Sequence, residues 1–211
     1  MIEPTQNEIS IIKQLLPDDK DLELKLQKLQ EYVELVLQEN NKHNIIGRST
    51  VKNIWIRHVI DSLQLSLYIN SNDINVVDFG SGAGFPAIIL SIVTKNHFFL
   101  IEKSPVKAKF LSNVINTLGL NNARVINSFI TNNNLTFLPK NSIIIARAFK
   151  SISEILNIVA STELNKIILL KGKKWKEEID KVPKNILKKW HFEAKNSVFN
   201  ESVILIINRQ N

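Results

Sequence analysis

Residues 76–86 read VVDFGSGAGFP: a short apolar run, an acid, three glycines at alternate positions, and a proline that closes the stretch. A strand that ends in such a run and turns into a helix brings bare backbone against a ligand, because no Cβ intervenes at Gly80, Gly82 or Gly84. A dinucleotide fingerprint would need its third glycine one residue later, where this chain has Phe85. That spacing disfavours NAD and a nucleotide-dependent oxidoreductase. Pro86 in the first helical turn sacrifices no hydrogen bond, since those amides lack partners inside a helix.

Outward from this turn, the second part of the chain alternates short β-branched runs with helical stretches. The runs are INVVDF, HFFLIE, ARVIN, SIIIAR, KIILLK, HFEAK and SVILIIN. Strands alternating with helices predict a parallel sheet of β/α units. NSVFNE, between the last two runs, is too short for a helical crossover, so the chain is expected to close with an antiparallel hairpin. TNNNLTFLPKN reads as a polar loop. Asp78, Glu102, Arg147 and Lys171 each end one of these strands. The carboxyl ends of parallel strands line the ligand crevice, so the four side chains should meet at one mouth. Glu102 follows the glycines at the distance from which a carboxylate accepts hydrogen bonds from ribose hydroxyls.

Ahead of the sheet, Leu22, Leu26, Leu29, Val33 and Val36 repeat at helical spacing behind Pro17-Asp18-Asp19, which predicts an amphipathic helix. NNKHNIIGRS reads as a connector. Thr50 then offers an amino-end cap to a second helix whose stripe is Val51, Ile54, Trp55, His58, Val59, Ser62 and Leu63. His58 and Ser62 thus fall on its apolar face. Arg57 and Asp61 stand at the spacing of a helical ion pair.

Composition narrows the chemistry. The chain has 211 residues and no cysteine, which excludes disulfides, cysteine zinc sites and any thiolate nucleophile. Residues 1–40 hold four Lys against nine acids, whereas residues 41–211 hold 23 basic and 11 acidic side chains. The basic part carries the glycines, which suits a polyanionic partner. No signal peptide and no apolar run of membrane-spanning length is evident, so a cytoplasmic protein is expected.

A phosphate-free adenosine with a methionine tail, S-adenosylmethionine, suits the loop. NKHNIIG, RHVIDSL, VVDFGSGAGFPAIILSI, LIEKSPVKAKFL, ARAF and LLKGKKW, in this order, resemble the bacterial 16S ribosomal RNA guanine-N7 methyltransferase G family, also called glucose-inhibited division protein B. The resemblance implies a class I S-adenosylmethionine-dependent methyltransferase: an α/β, Rossmann-like sheet with a terminal antiparallel strand over residues 73–211, after an N-terminal helical extension over residues 1–72. It implies Gly80 and Phe85 beside the methionine part of the cofactor, Glu102 on its ribose, and Arg147 at the cofactor edge facing RNA. Phe129 and Ile130 align with the adenine contact, where the family usually has a small residue and an acid. His58 and Asp61 become positioning candidates at the cleft, and Lys171, Lys173 and Lys174 candidates for RNA phosphates.

The expected partner is 16S ribosomal RNA or the small ribosomal subunit, with no metal, no membrane, and a monomeric protein. Guanine N7 carries a free lone pair and needs no base to remove a proton. Methylation of a pyrimidine carbon would need the absent cysteine, and exocyclic amino methylation typically uses an Asn/Asp-Pro-Pro-aromatic motif where this chain has ARAF. A class I methyltransferase acting on a small molecule or another RNA, or a non-catalytic RNA-binding module, would share some of these features.

Overall fold

The computed structural model describes residues 2–17, 19–70, 72–132, 135, 138–199 and 202–210. Seven strands form one sheet: β1 (Asn75–Phe79), β2 (His97–Ile101), β3 (Ala123–Ile126), β4 (Ser142–Arg147), β5 (Lys166–Gly172), β6 (Trp190–Asn196) and β7 (Ser202–Arg209). Their spatial order is β3-β2-β1-β4-β5-β7-β6. The first five are parallel, and β7 pairs antiparallel with both β5 and β6. Each run singled out in the sequence is a strand, and the closing hairpin is present.

The central strands β1, β2, β4, β5 and β7 read as nearly unbroken apolar runs because both faces of the sheet are covered there, whereas the edge strands β3 and β6 are more exposed. Alternate residues go to opposite sides: Val76, Leu100, Ile145 and Ile168 to one core, Val77, Ile101, Ile144 and Ile167 to the other. On the second face lie α6 (Ile152–Ile158), α7 (Trp175–Asp180) and α8 (Lys184–Leu187), while α4 (Ala87–Val93) and α5 (Pro105–Thr117) pack on the first.

That first face also receives the amino-terminal helices α1 (Gln6–Leu15) and α2 (Leu22–His43), so one apolar cluster runs from Ile12 to Ile206. Thr5 opens α1 in a capping box with Glu8. Helix α2 buries Leu29, Val33 and Val36, as its stripe predicts, together with Tyr32. Of the acids expected at its amino end, Asp18 lies outside the described residues, and Asp19 stands two residues before the flanking Asp21, whose N–H its Oδ1 accepts at 3.0 Å. Two of its lysines tie it across the sheet face. Lys25 Nζ donates to Val93 O at 3.1 Å and Lys28 Nζ to Leu118 O at 2.9 Å, both at helix carboxyl ends, where a cation is favoured.

Two local expectations are corrected. Helix α2 continues to His43, and the buried Asn40 side chain accepts Ile46 N at 2.8 Å, so the connector begins at Asn44 rather than Asn40. Thr50 is not an amino-end cap. It lies inside a 3-10 turn (Arg48–Asn53), which leads into a wide turn (Trp55–Ile60), α3 (Asp61–Leu63) and a further 3-10 turn (Gln64–Tyr68). The Thr50 hydroxyl instead donates to Gly47 O at 2.7 Å and meets His58 Nε2 at 2.7 Å. The changing pitch still puts Ile54, Trp55, His58, Val59, Ser62 and Leu63 in the interior, with Val51 partly covered. The polar loop expected at TNNNLTFLPKN and the hairpin link NSVFNE each include positions outside the described residues.

Candidate active site

At the carboxyl ends of β1, β2 and β4 the sheet opens into a cleft of about 630 Å³. Its floor is the turn after β1. Gly80, Gly82 and Gly84 all have positive φ, with Gly84 at 103°, a value that L side chains rarely adopt. A Cβ on Gly80 would run into the ring of Phe149, and one on Gly84 would lie 2.8 Å from the Tyr32 hydroxyl and 2.6 Å from Ile88. The turn is fastened from both sides. Tyr32 Oη donates to Ala83 O at 2.7 Å, while Glu102 accepts Gly82 N at 2.9 Å through Oε2 and Ser104 N at 2.8 Å through Oε1. Each carboxylate oxygen retains acceptor capacity beyond its one amide.

Asp78, at the end of β1, is buried behind this turn, and its Oδ2 has no hydrogen-bond partner among the described residues. Burial, and secondarily the Glu102 carboxylate, push its pKa up to about 7, against the lowering effect of the Ser81 hydroxyl.

The opposite wall is polar and comes from distant parts of the chain. Arg147 Nη2 donates to Arg57 O and to His58 Nδ1, each at 2.9 Å. Arginine has no acceptor, so His58 Nδ1 must be bare and the ring proton must sit on Nε2, donated to Thr50 Oγ1. Burial, then the positive charge of Arg147, lower the His58 pKa to about 3, so the ring is neutral throughout the physiological range. Phe85 stacks against it at 4.8 Å between ring centroids and against Tyr32 at 5.1 Å. Asp61 Oδ1 accepts the Gln64 amide at 3.0 Å and the Ser202 hydroxyl at 3.1 Å, and Oδ2 lies 3.6 Å from Arg147 Nε. Burial raises the Asp61 pKa, and Arg147 is the largest counterweight.

Gly80, Phe85, Glu102, Phe129, Ile130, Arg147 and His58 thus line one cleft. Asp61 borders a second cavity beyond Arg147, together with Lys171. Lys171 is tied inward, donating to Lys150 O at 3.0 Å and paired with Glu178 at 2.6 Å, whereas Lys173 and Lys174 are exposed. Phe129 is 66% exposed at the cleft rim, and Glu102 is the one carboxylate among the described lining residues. Sequence reading did not find Tyr32, Ile45, Ile46 or Ala148 at the site; an apolar pair before Gly47 was the signal for Ile45 and Ile46.

The residues present fit an adenosyl sulfonium. Exposed backbone at Gly80 and Gly82 admits close approach, and Glu102 offers acceptors to a diol. Ile101, Phe129 and Ile130 provide an apolar seat for a purine. Among the described residues no cluster of His, Cys, Asp and Glu could hold a metal ion, and no helix is long and apolar enough to cross a membrane.

Comparison with known proteins points the same way. The family model GidB, described as rRNA small subunit methyltransferase G, matches residues 25–204. A Rickettsia bellii (strain OSU 85-389) protein named Ribosomal RNA small subunit methyltransferase G is 37% identical over 179 residues, covering 84% of this chain and 87% of the relative. An Orientia tsutsugamushi (strain Ikeda) protein of the same name is 39% identical over 153 residues, covering 72% and 75%. Among solved structures, the precorrin-6y C5,15-methyltransferase of Geobacter metallireducens GS-15 superposes with a TM-score of 0.54 at 15% identity, covering 80% of this chain and 92% of that one. That likeness is one of fold: a class I S-adenosylmethionine-dependent methyltransferase sheet.

Proposed function

This chain belongs to the GidB family, rRNA small subunit methyltransferase G, and on that premise we propose that it transfers a methyl group from S-adenosylmethionine to N7 of a loop guanine in 16S ribosomal RNA. The observation that carries the reading is the coincidence of that family match with the cleft over the glycine turn, where Glu102 fastens the loop and faces the ligand space.

When bound, S-adenosylmethionine supplies a methyl carbon made electrophilic by its sulfonium. Gly80 and Phe85 border the methionine portion, Glu102 holds the ribose diol, and Phe129 and Ile130 cover the adenine. A guanine N7 lone pair has no proton to lose before it attacks, so no residue of the cleft would have to act as a base. His58 is therefore a positioning group: neutral, locked between Thr50 and Arg147, it keeps Phe85 and the guanidinium in place. Alignment of nucleophile, methyl and leaving group in a dry site is worth on the order of several kcal/mol.

The target base must leave its stack to enter the cleft, so a single-stranded loop suits this geometry. Residues 1–72 act as a helical extension of the methyltransferase domain at 73–211, roofing the cleft with the segment that carries His58. Lys173 and Lys174 are free to meet RNA phosphates, and Lys171 supports them from within. The protein acts as a monomer in the cytoplasm.

The test incubates the protein with labelled S-adenosylmethionine and unmodified small-subunit RNA, then digests the product. Label in 7-methylguanosine is the expected result. Label in another nucleoside, or transfer to a small molecule that bulk RNA does not compete for, would overturn it.

A further inference from the structure

On the outer side of the wall that carries His58 lies an open groove of about 640 Å³, lined by Thr50, Asn53, Ile56, Arg57, Val198 and Phe199 among others. Thr50 Oγ1, on the groove side, meets His58 Nε2 at 2.7 Å, and His58 lines the cofactor cleft, so a single layer of side chains parts the two spaces. One bank of the groove is the segment that follows the connector. The other is the link between β6 and β7, from the far end of the chain.

The first bank is one-sided in charge. Residues 41–60 hold four Lys and Arg and no acid, and Arg48, Lys52 and Arg57 are exposed. Among the described residues the groove lining has no carboxylate. The second bank is apolar: Val198 is 47% exposed, beside the partly covered Phe199. It is also pinned from below. Buried Gln64 donates through Nε2 to Asp61 Oδ1 at 3.0 Å and to Ser197 Oγ at 2.9 Å, and its Oε1 accepts Val198 N at 3.0 Å. A buried amide engaged at both ends fixes the backbone it holds, so Val198 is presented to solvent by a set main chain.

Cations facing an apolar and aromatic bank suit an unpaired nucleotide, whose phosphate takes the first and whose base takes the second. A duplex, with its base faces stacked inside, would leave the apolar bank bare. The groove is also continuous with the site. Arg57 and Phe199 line the adjoining cavity as well, which reaches Lys171 and Gly172 and shares Arg147 and Ala148 with the cofactor cleft. The two acids of that cavity are matched, Asp61 by Arg147 at 3.6 Å and Glu178 by Lys171 at 2.6 Å. A track thus follows the outside of the cleft from Gly172, just ahead of Lys173 and Lys174, to Thr50.

We propose that this groove seats the unpaired nucleotide next to the target base, its phosphate on Arg57 and its base on Val198 and Phe199, while the target base turns over the rim into the cofactor cleft. Contacts to the neighbour outside the cleft offset part of the unstacking that the target undergoes. The inference rests on the ribosomal RNA methyltransferase reading and adds where the strand beside the target lies.

The experiment places the photoreactive amino acid p-benzoylphenylalanine at the exposed Val198 and irradiates the full chain with unmodified small-subunit RNA and S-adenosylhomocysteine. The cross-linked nucleotide is mapped against the guanine that acquires label in the transfer assay. It should lie within about three nucleotides of that guanine. A cross-link elsewhere in the RNA, or none to RNA, overturns the groove. Val198→Glu, which sets a carboxylate beside the phosphate path, should raise the RNA concentration for half-maximal rate at least about tenfold while S-adenosylmethionine affinity stays within about threefold. An unchanged RNA requirement in this variant overturns the groove as well. Label in 7-methylguanosine alongside either failure leaves the methyltransferase reading standing, whereas cofactor binding without transfer to any RNA removes both.

Discussion

The glycine turn at residues 80–84 and the polar wall of His58 and Arg147, with Asp61 behind it, border the same ligand space, yet they are held by different forces. The turn is positioned by main-chain hydrogen bonds, from Gly82 N to Glu102 and from Gly80 and Ser81 N to Ile101 O, all within about two dozen residues of sequence. The polar wall joins groups 89 and 141 positions apart and, among the described residues, leaves a buried valence open at Arg147 Nη1. A site made of backbone is shaped once the strand and helix form. A site made of buried polar side chains depends on the whole domain closing around it, because each unmet group costs about 1–3 kcal/mol. The first suits a fixed cofactor pocket, and the second a surface that completes itself on a substrate.

The turn's rigidity is most sharply tested at Gly84. An alanine there would need φ near 103° and would press into Ile88 at 2.6 Å and Leu111 at 3.0 Å. Gly84→Ala should destabilise the fold by about 3 kcal/mol or more in denaturant unfolding. A loss below about 1 kcal/mol would mean the turn yields, and the contrast with the opposite wall would dissolve. Next in size is Glu102→Ala, which removes the acceptor of two main-chain amides. Charge-assisted bonds of this kind are worth about 1.5–3 kcal/mol, so S-adenosylmethionine affinity should fall roughly tenfold to a hundredfold by calorimetry. An unchanged affinity would detach Glu102 from the cofactor.

The same division explains what could be read from sequence. Every strand was legible, the central ones because a sheet covered on both faces requires runs such as Ile143, Ile144 and Ile145, and the glycine turn announced itself by spacing. The segment from Arg48 to Tyr68 was legible only in its stripe. Thr50 looked like a cap because its hydroxyl precedes an apolar period, whereas the partner that decides its role, His58, is turned toward it by Arg147 from another part of the chain. The sharing of Arg147 between two cavities had no local sign at all. Tyr32 sits in a recognisable helix, but its hydroxyl partner, Ala83 O, is 51 residues away.

The polar wall makes its own prediction through His58. Above its ordinary pKa of 6.5 the ring is neutral folded or unfolded; below it the unfolded chain takes a proton that the folded protein refuses until about pH 3. Stability therefore falls by about 1.4 kcal/mol per pH unit as pH drops through this window. Asp78 acts in the opposite sense between 3.8 and about 7, since its folded form keeps a proton that the unfolded chain releases as pH rises. The two slopes mask one another in the wild type. His58→Gln removes one of them, so between about pH 6.5 and about pH 5 the variant should gain about 2 kcal/mol relative to the wild type. A difference independent of pH would show that the histidine is charged in the fold and that the wall is wetter than its geometry indicates.

Tyr32 joins the two regions, and its test is the most delicate. Its ring stacks on Phe85, which packs against His58, while its hydroxyl satisfies the carbonyl inside the glycine turn. Tyr32→Phe keeps the first contact and deletes the second, leaving Ala83 O in a buried place without a donor. The expected cost is about 1 kcal/mol of stability, with S-adenosylmethionine affinity lowered about fivefold and the His58 pH dependence untouched. If the substitution altered that pH dependence as well, the turn and the polar wall would be one coupled unit, and backbone fastening alone could not account for the cofactor cleft.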